Sequence, residues 1–265
     1  MSGRANVTVA AWPVTDVSTR LTGHDAVVFV AGLLADAPML SRALASLSPS
    51  ERARFNGYTN AVVARRFAVG RATLREILGG ALGIAPERVP LREGLHGKPA
   101  LGREHSGRPI WFSLAHCEDV VLVALSRTSE VGIDVERSRA IEQWERVADR
   151  VLSSTERRRL QQAVEGGEDA GTAFLRHWCR VEAELKAIGC GIAGLEEHRA
   201  GKRPLGLQVT DLPALPLPAA AMQGGARYQA ALALCAPGLD SLRQTALAIH
   251  QATIPTIPPA RASTA

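Results

Sequence analysis

The sequence predicts a mixed α/β (α+β) protein. Runs rich in branched apolar residues, at Ala26 to Ala31, Val120 to Ser126 and Val131 to Glu136, are interspersed with stretches whose apolar residues recur at helical spacing. No fixed-period repeat orders these segments into an array. The 265 residues are 46% apolar, enough to bury a core as one large domain or as two lobes of roughly 100 residues each. Disorder of the whole chain is excluded.

Residues 1–24 have no clear period, and Ala26 to Ala31 is the first strand. Ser48-Pro49-Ser50-Glu51 reads as a helix start, with proline at the first position and an acid in the opening turn. Helical spacing continues through Val62, Val63, Phe67, Val69, Leu74, Ile77 and Leu78, and Gly79-Gly80 is expected to end it. Turn chemistry fills Glu93 to Pro109. A hairpin follows, Ile110 to Leu114 and Val120 to Ser126, with His116 in its connecting turn; a third strand is Val131 to Glu136. Helices are expected over Ile141 to Arg150, Ser154 to Val164 and Thr172 to Ile188, and a last strand over Tyr228 to Cys235. The proline-rich end from Thr253 is expected to be disordered.

The formal charge of +5 suits an anionic partner. Arginine supplies most of it, since lysine occurs only at Lys98, Lys186 and Lys202. Aromatic residues make up 4% of the chain, which argues against a base-stacking platform for nucleic acid. Cys117, Cys179, Cys190 and Cys235 form no C-x-x-C pair, so neither a zinc site nor a disulfide framework is expected. No leader and no apolar run of about 18 residues is present, so a soluble cytoplasmic protein without membrane association is expected.

Three places carry candidate chemistry. In Val131-Gly132-Ile133-Asp134-Val135-Glu136 the apolar residues alternate with Gly132, Asp134 and Glu136, so a strand would bury one face and present both acids on the other. Two carboxylates about 7 Å apart repel by about 2 kcal/mol at an effective dielectric near 20, which favours a nearby cation such as Mg²⁺. A merely solvated strand face gives the same pattern. On the helix marked by Phe174, Leu175, Trp178, Val181, Leu185 and Ile188, Glu182 and Lys186 lie one turn apart beside the apolar stripe, as a surface ion pair or as part of a phosphate and metal site. Six arginines lie between Glu51 and Arg75, at 52, 54, 65, 66, 71 and 75, either on a solvated face or gripping a polyanion. His116 is structural, exposed or a phosphate contact.

In their order and spacing these features resemble the Sfp-type 4′-phosphopantetheinyl transferases over about residues 48–191. The most specific matches are Gly132-Ile133-Asp134-Val135-Glu136 and Trp178-Cys179-Arg180-Val181-Glu182-Ala183-Glu184-Leu185-Lys186. Gly97-Lys98-Pro99, Phe112 to His116, the stretch from Arg66 to Arg75 and Val151 to Glu156 support them. The resemblance implies the 4′-phosphopantetheinyl transferase fold, two similar lobes related by pseudo-twofold symmetry, here 25–128 and 129–250 between an N-terminal segment 1–24 and a tail 251–265. It implies coenzyme A as co-substrate in the cleft, with Asp134, Glu136 and Glu182 holding Mg²⁺ and Lys186 on the pyrophosphate. Arg54, Arg66 and His116 match positions that bind the 3′-phosphate, and Lys98-Pro99 the segment near the adenine. The implied catalytic residues are Asp134, Glu182 and Lys186, with Glu182 as general base. The implied partner is an acidic acyl- or peptidyl-carrier protein, whose serine receives phosphopantetheine as 3′,5′-ADP leaves. A monomer would suffice.

Three positions depart from the family pattern. Val181 replaces its lysine, Ala115 replaces the serine before the histidine, and Glu51 stands where a basic ligand is common. A metal-dependent phosphohydrolase, and a coenzyme A or nucleotide-binding module without activity, are the competing readings.

Overall fold

Strand β1 (Val7–Ala11), helix α1 (Val17–Arg20), strand β2 (Ala26–Gly32) and helices α2 (Ala37–Ser46), α3 (Pro49–Asn56) and α4 (Ala61–Leu82) open the chain. A two-stranded ribbon, β3 (Leu91–Glu93) with β4 (Pro99–Leu101), leads into β5 (Trp111–Cys117), β6 (Val120–Ser126) and β7 (Glu130–Arg137). Helices α5 (Trp144–Val151), α6 (Ser154–Glu165), α7 (Ala170–Ile188) and α8 (Leu195–Arg199) precede β8 (Gln208–Asp211) and β9 (Tyr228–Cys235). The structure, a computed structural model, describes residues 5–93, 99–102 and 109–236.

The strands form two main sheets, one ordered β1-β2-β6-β5 and the other β7-β9-β8. In the first, β1 and β2 are parallel, while β6 is antiparallel to both β2 and β5. Val27, Phe29, Val121 and Val123 on one face pack with Val69, Ala72, Ile77 and Leu78 of α4. Val28, Val30, Leu122 and Ala124 on the other pack with Val131, Ile133, Val135 and Leu232 of the second sheet. The outer face of the second sheet is covered by α7 through Cys179, Ala183 and Ala187 against Ala231 and Ala233. The order of layers is therefore helix, sheet, sheet, helix. It explains why β2 and β6 are apolar at successive positions rather than at alternate ones: both of their faces are buried.

The mixed α/β class agrees with the sequence, and several boundaries do not. The helical region expected from Ser48 is broken at Gly57, where α3 ends, and restarts with Asn60 capping α4. Helix α4 passes through Gly79-Gly80 and ends at Gly83, which adopts a left-handed conformation. His116 lies within β5 rather than in the turn, which is confined to Glu118-Asp119. Strands β1 and β8 and helices α1 and α2 lie in segments without a distinct apolar period.

Candidate active site

Gly132 decides where the acids sit. A Cβ atom there would overlap the carbonyl oxygen of Ala183 and the backbone nitrogen of Ala187, so the backbone of α7 lies directly on β7. The small residues Cys179, Ala183 and Ala187, at four-residue spacing, make that approach possible. Glu182 and Lys186 then flank the contact, one turn apart.

Asp134, two residues along the same face of β7 as Gly132, meets this edge of α7. Lys186 Nζ donates to Asp134 Oδ1 at 2.6 Å and lies 3.8 Å from Glu182 Oε2. The strand face expected to be open is covered: Asp134 is 7% exposed. Its Oδ2 is buried and accepts no hydrogen bond among the described residues. Burial raises the Asp134 pKa to about 6 against the opposing pull of Lys186, and Glu182 and Glu136 push it the same way as burial. The buried Cys179 thiol is held protonated by burial and by the neighbouring Asp134.

Glu136 stands at the rim. Its Oε2 accepts from Arg139 Nη1 at 2.9 Å and from the Cys117 thiol at 3.8 Å. His116 is exposed at its edge, yet desolvation by its surroundings, followed by the charges of Lys186 and Arg66, draws its pKa down. Arg66 is paired with Asp119 at 3.0 Å. Thus Asp134, Glu182, Lys186, Glu136, Arg66 and His116 share one electrostatic neighbourhood.

Arg54 and Pro99 border a cavity with Ser48, Phe67, Arg71 and Arg92. The Arg54 guanidinium lies over the Phe67 ring, 5.1 Å from its centroid, and its Nε donates to the Tyr58 hydroxyl at 3.2 Å. Phe67 and Arg66 are consecutive on α4, so that helix serves both the cavity and the carboxylate site. Lys98 lies outside the described residues.

The departures acquire physical reasons. Glu51 caps α3 reciprocally with Ser48, and its carboxylate also accepts from Arg75 Nε at 2.8 Å and faces Arg71 at 3.4 Å. Arg75, 2% exposed, further donates to the carbonyls of Pro86 and Val89. Of the six arginines, this one is a buried strut. Val181 is fully buried among Ala148, Leu152 and Leu160, so it serves the core.

The donor set at Asp134, Glu136 and Glu182 is all oxygen, as a hard divalent cation requires, and the unpartnered Asp134 Oδ2 supplies a vacant acceptor. That donor chemistry is of the kind Mg²⁺ takes. Among the described residues, however, the trio whose ligand atoms all lie within 4.8 Å of one another is a different one: Glu156, Glu184 and His198. Sequence reasoning missed that group. Its one local signal was Ser153 followed three residues later by Glu156, a capping box that the structure contains.

The family model of the 4′-phosphopantetheinyl transferase superfamily matches residues 130–213, the stretch that holds β7 and α7. The chain is 39% identical over 160 residues to the 4′-phosphopantetheinyl transferase HetI of Nostoc sp., a match covering 60% of this chain and 67% of that protein. It is 31% identical over 159 residues to a putative 4′-phosphopantetheinyl transferase, slr0495, of Synechocystis sp., covering 60% and 63%. It is 37% identical over 115 residues to the 4′-phosphopantetheinyl transferase AcpT of Salmonella typhimurium, covering 43% and 56%. The matches span about two thirds of the first relative's length and less of the other two.

Proposed function

Because the chain belongs to the 4′-phosphopantetheinyl transferase superfamily, we propose that it transfers the phosphopantetheine arm of coenzyme A to a serine of an apo acyl- or peptidyl-carrier protein. The observation that carries this reading is the Asp134–Lys186–Glu182 cluster, with its buried, unpartnered Asp134 Oδ2, inside the matched segment.

Asp134, Glu136 and Glu182 would hold Mg²⁺, which when bound supplies positive charge against the pyrophosphate. Lys186, already in contact with Asp134, meets the pyrophosphate and offsets the charge gathering on the departing group. Glu182 accepts the serine proton as the hydroxyl oxygen bonds to the β-phosphorus; the bond from that phosphorus to the bridging oxygen breaks, and 3′,5′-ADP leaves with the electron pair. Arg54, Arg66 and His116 receive the 3′-phosphate, with Pro99 and Lys98 beside the adenine. The net positive charge of the chain suits an acidic carrier.

The test is intact mass of an apo carrier protein incubated with the enzyme, coenzyme A and Mg²⁺. A gain of about 340 Da, the mass of the transferred group, is expected. Unchanged mass across acyl- and peptidyl-carriers, with coenzyme A bound, would leave a binding module. Release of phosphate-ester products without a carrier would make the protein a hydrolase.

A further inference from the structure

Glu184 and Glu182 project from nearly opposite sides of α7, and Glu184 enters a second cluster that the proposed chemistry does not use. His198 of α8 lies between two carboxylates, with Nδ1 3.1 Å from Glu184 Oε2 and Nε2 2.9 Å from Glu156 Oε2. Arg203 Nη2 bridges the remaining oxygens, 2.6 Å from Glu156 Oε1 and 3.0 Å from Glu184 Oε1. The side chains of Glu156, Glu184 and His198 are 8%, 2% and 3% exposed.

The geometry is that of an ion-pair cluster rather than a metal centre. A metal-bound imidazole gives one nitrogen to the ion and the other to a supporting acceptor. Here each nitrogen has its own carboxylate on its own side of the ring, and a guanidinium takes the other two oxygens. Two acids face two bases, so the buried charge balances when His198 is cationic. Arg180, paired with Asp211, adds to the charged surroundings, while burial, followed by the charges of Arg180 and Arg176, keeps His177 of α7 neutral, at a pKa of about 4. The cluster ties the first turn of α6, the C-terminal part of α7, α8 and the segment after α8 at one point.

We propose that Glu156, Glu184, His198 and Arg203 form a positioning cluster that fixes the rotation of α7, and thereby sets Glu182 and Lys186 against Asp134. Its kinetic consequence rests on the transferase reading above. The side chains touch neither substrate nor reacting atoms; they act through the helix.

The variants are His198→Gln and, as a milder lesion at the exposed edge, Arg203→Met, with Arg203→Lys as the conservative replacement. Mg²⁺-dependent coenzyme A affinity and kcat are each expected to fall about 10-fold in His198→Gln, in the range for residues that orient ligands from behind. Metal-free affinity for 3′,5′-ADP, which engages the Arg54 side, should change less than about 2-fold, and Arg203→Lys should recover most of what Arg203→Met loses. A folded His198→Gln protein with wild-type metal-dependent affinity and kcat overturns the proposal, whatever its Tm. So does stoichiometric zinc in the wild type that Glu184→Gln loses. Should the wild type transfer nothing, the transferase reading fails on its own, and hydrogen exchange decides this one. Faster exchange in α7 but not α4 of His198→Gln supports it, and unchanged α7 exchange overturns it.

Discussion

Asp134 combines a salt bridge on one oxygen with an idle, buried second oxygen, an arrangement that costs stability unless something else uses it. Asp134→Asn is therefore expected to abolish Mg²⁺-dependent transfer, by at least about 100-fold in kcat/KM, while the protein stays folded because Lys186 can turn toward Glu182; activity and a thermal melt check the two halves. Arg54→Ala should act differently, raising KM for coenzyme A about 10-fold with kcat nearly unchanged, since its guanidinium lies in the cavity away from the acids. Motif spacing in the sequence singles out these residues as candidates, and the variants test their roles. The burial of Asp134 was not legible there, because alternation along β7 shows which residues share a face and cannot show that a helix covers it. Nor could spacing reveal that Arg75, in a row of similar arginines, is the buried one.

The contact between β7 and α7 depends on a glycine. Gly132→Ala would drive a methyl group into the backbone of α7 at Ala183 and Ala187, with an expected loss of about 3 kcal/mol or more, measurable by urea denaturation. Helix α3 is held by the Glu51–Arg75 pair, with side chains 12% and 2% exposed. Glu51→Ala strands a buried guanidinium and should cost about 3–5 kcal/mol. The charged cluster behind α7 predicts a pH profile. For His198, burial favours the neutral form, but the hydrogen bonds its ring donates to Glu156 and Glu184 outweigh it and raise the pKa from 6.5 to about 9. Its contribution is complete below pH 6.5 and is lost as pH rises through 9. For Glu156, burial opposes ionisation, yet His198 and Ser153 lower the pKa from 4.5 to about 2, so its contribution is complete above pH 4.5 and is lost as pH falls toward 2. The contribution of this pair to stability should thus be greatest between about pH 4.5 and 6.5 and should decline toward 9, and the difference in Tm between the wild type and His198→Gln should shrink over that alkaline range. The helix start at Ser48-x-x-Glu51 was readable because a capping box is local. The charged cluster was not, since its members are brought together only by tertiary packing.

At the scale of the molecule, the two sheets share the apolar layer in which Val28, Val30 and Leu122 meet Val131, Ile133 and Leu232. A fragment ending at residue 128 would expose that layer and is expected to be insoluble or oligomeric by size-exclusion chromatography, whereas mixing it with the remainder of the chain should restore a soluble complex. The long apolar strands announced this core in the sequence. The short outer strands β1 and β8 did not, because each offers only five or four residues and is only partly buried. The layer order has one more consequence. Arg66 stands on α4, which backs the first sheet, and Arg54 on α3 with its guanidinium over Phe67 of α4, whereas Asp134 and Glu182 lie where the second sheet meets α7. The parts of the proposed site are thus carried by different layers, and a change that slid one sheet against the other in their shared apolar layer would misalign the arginines with the acids without touching either.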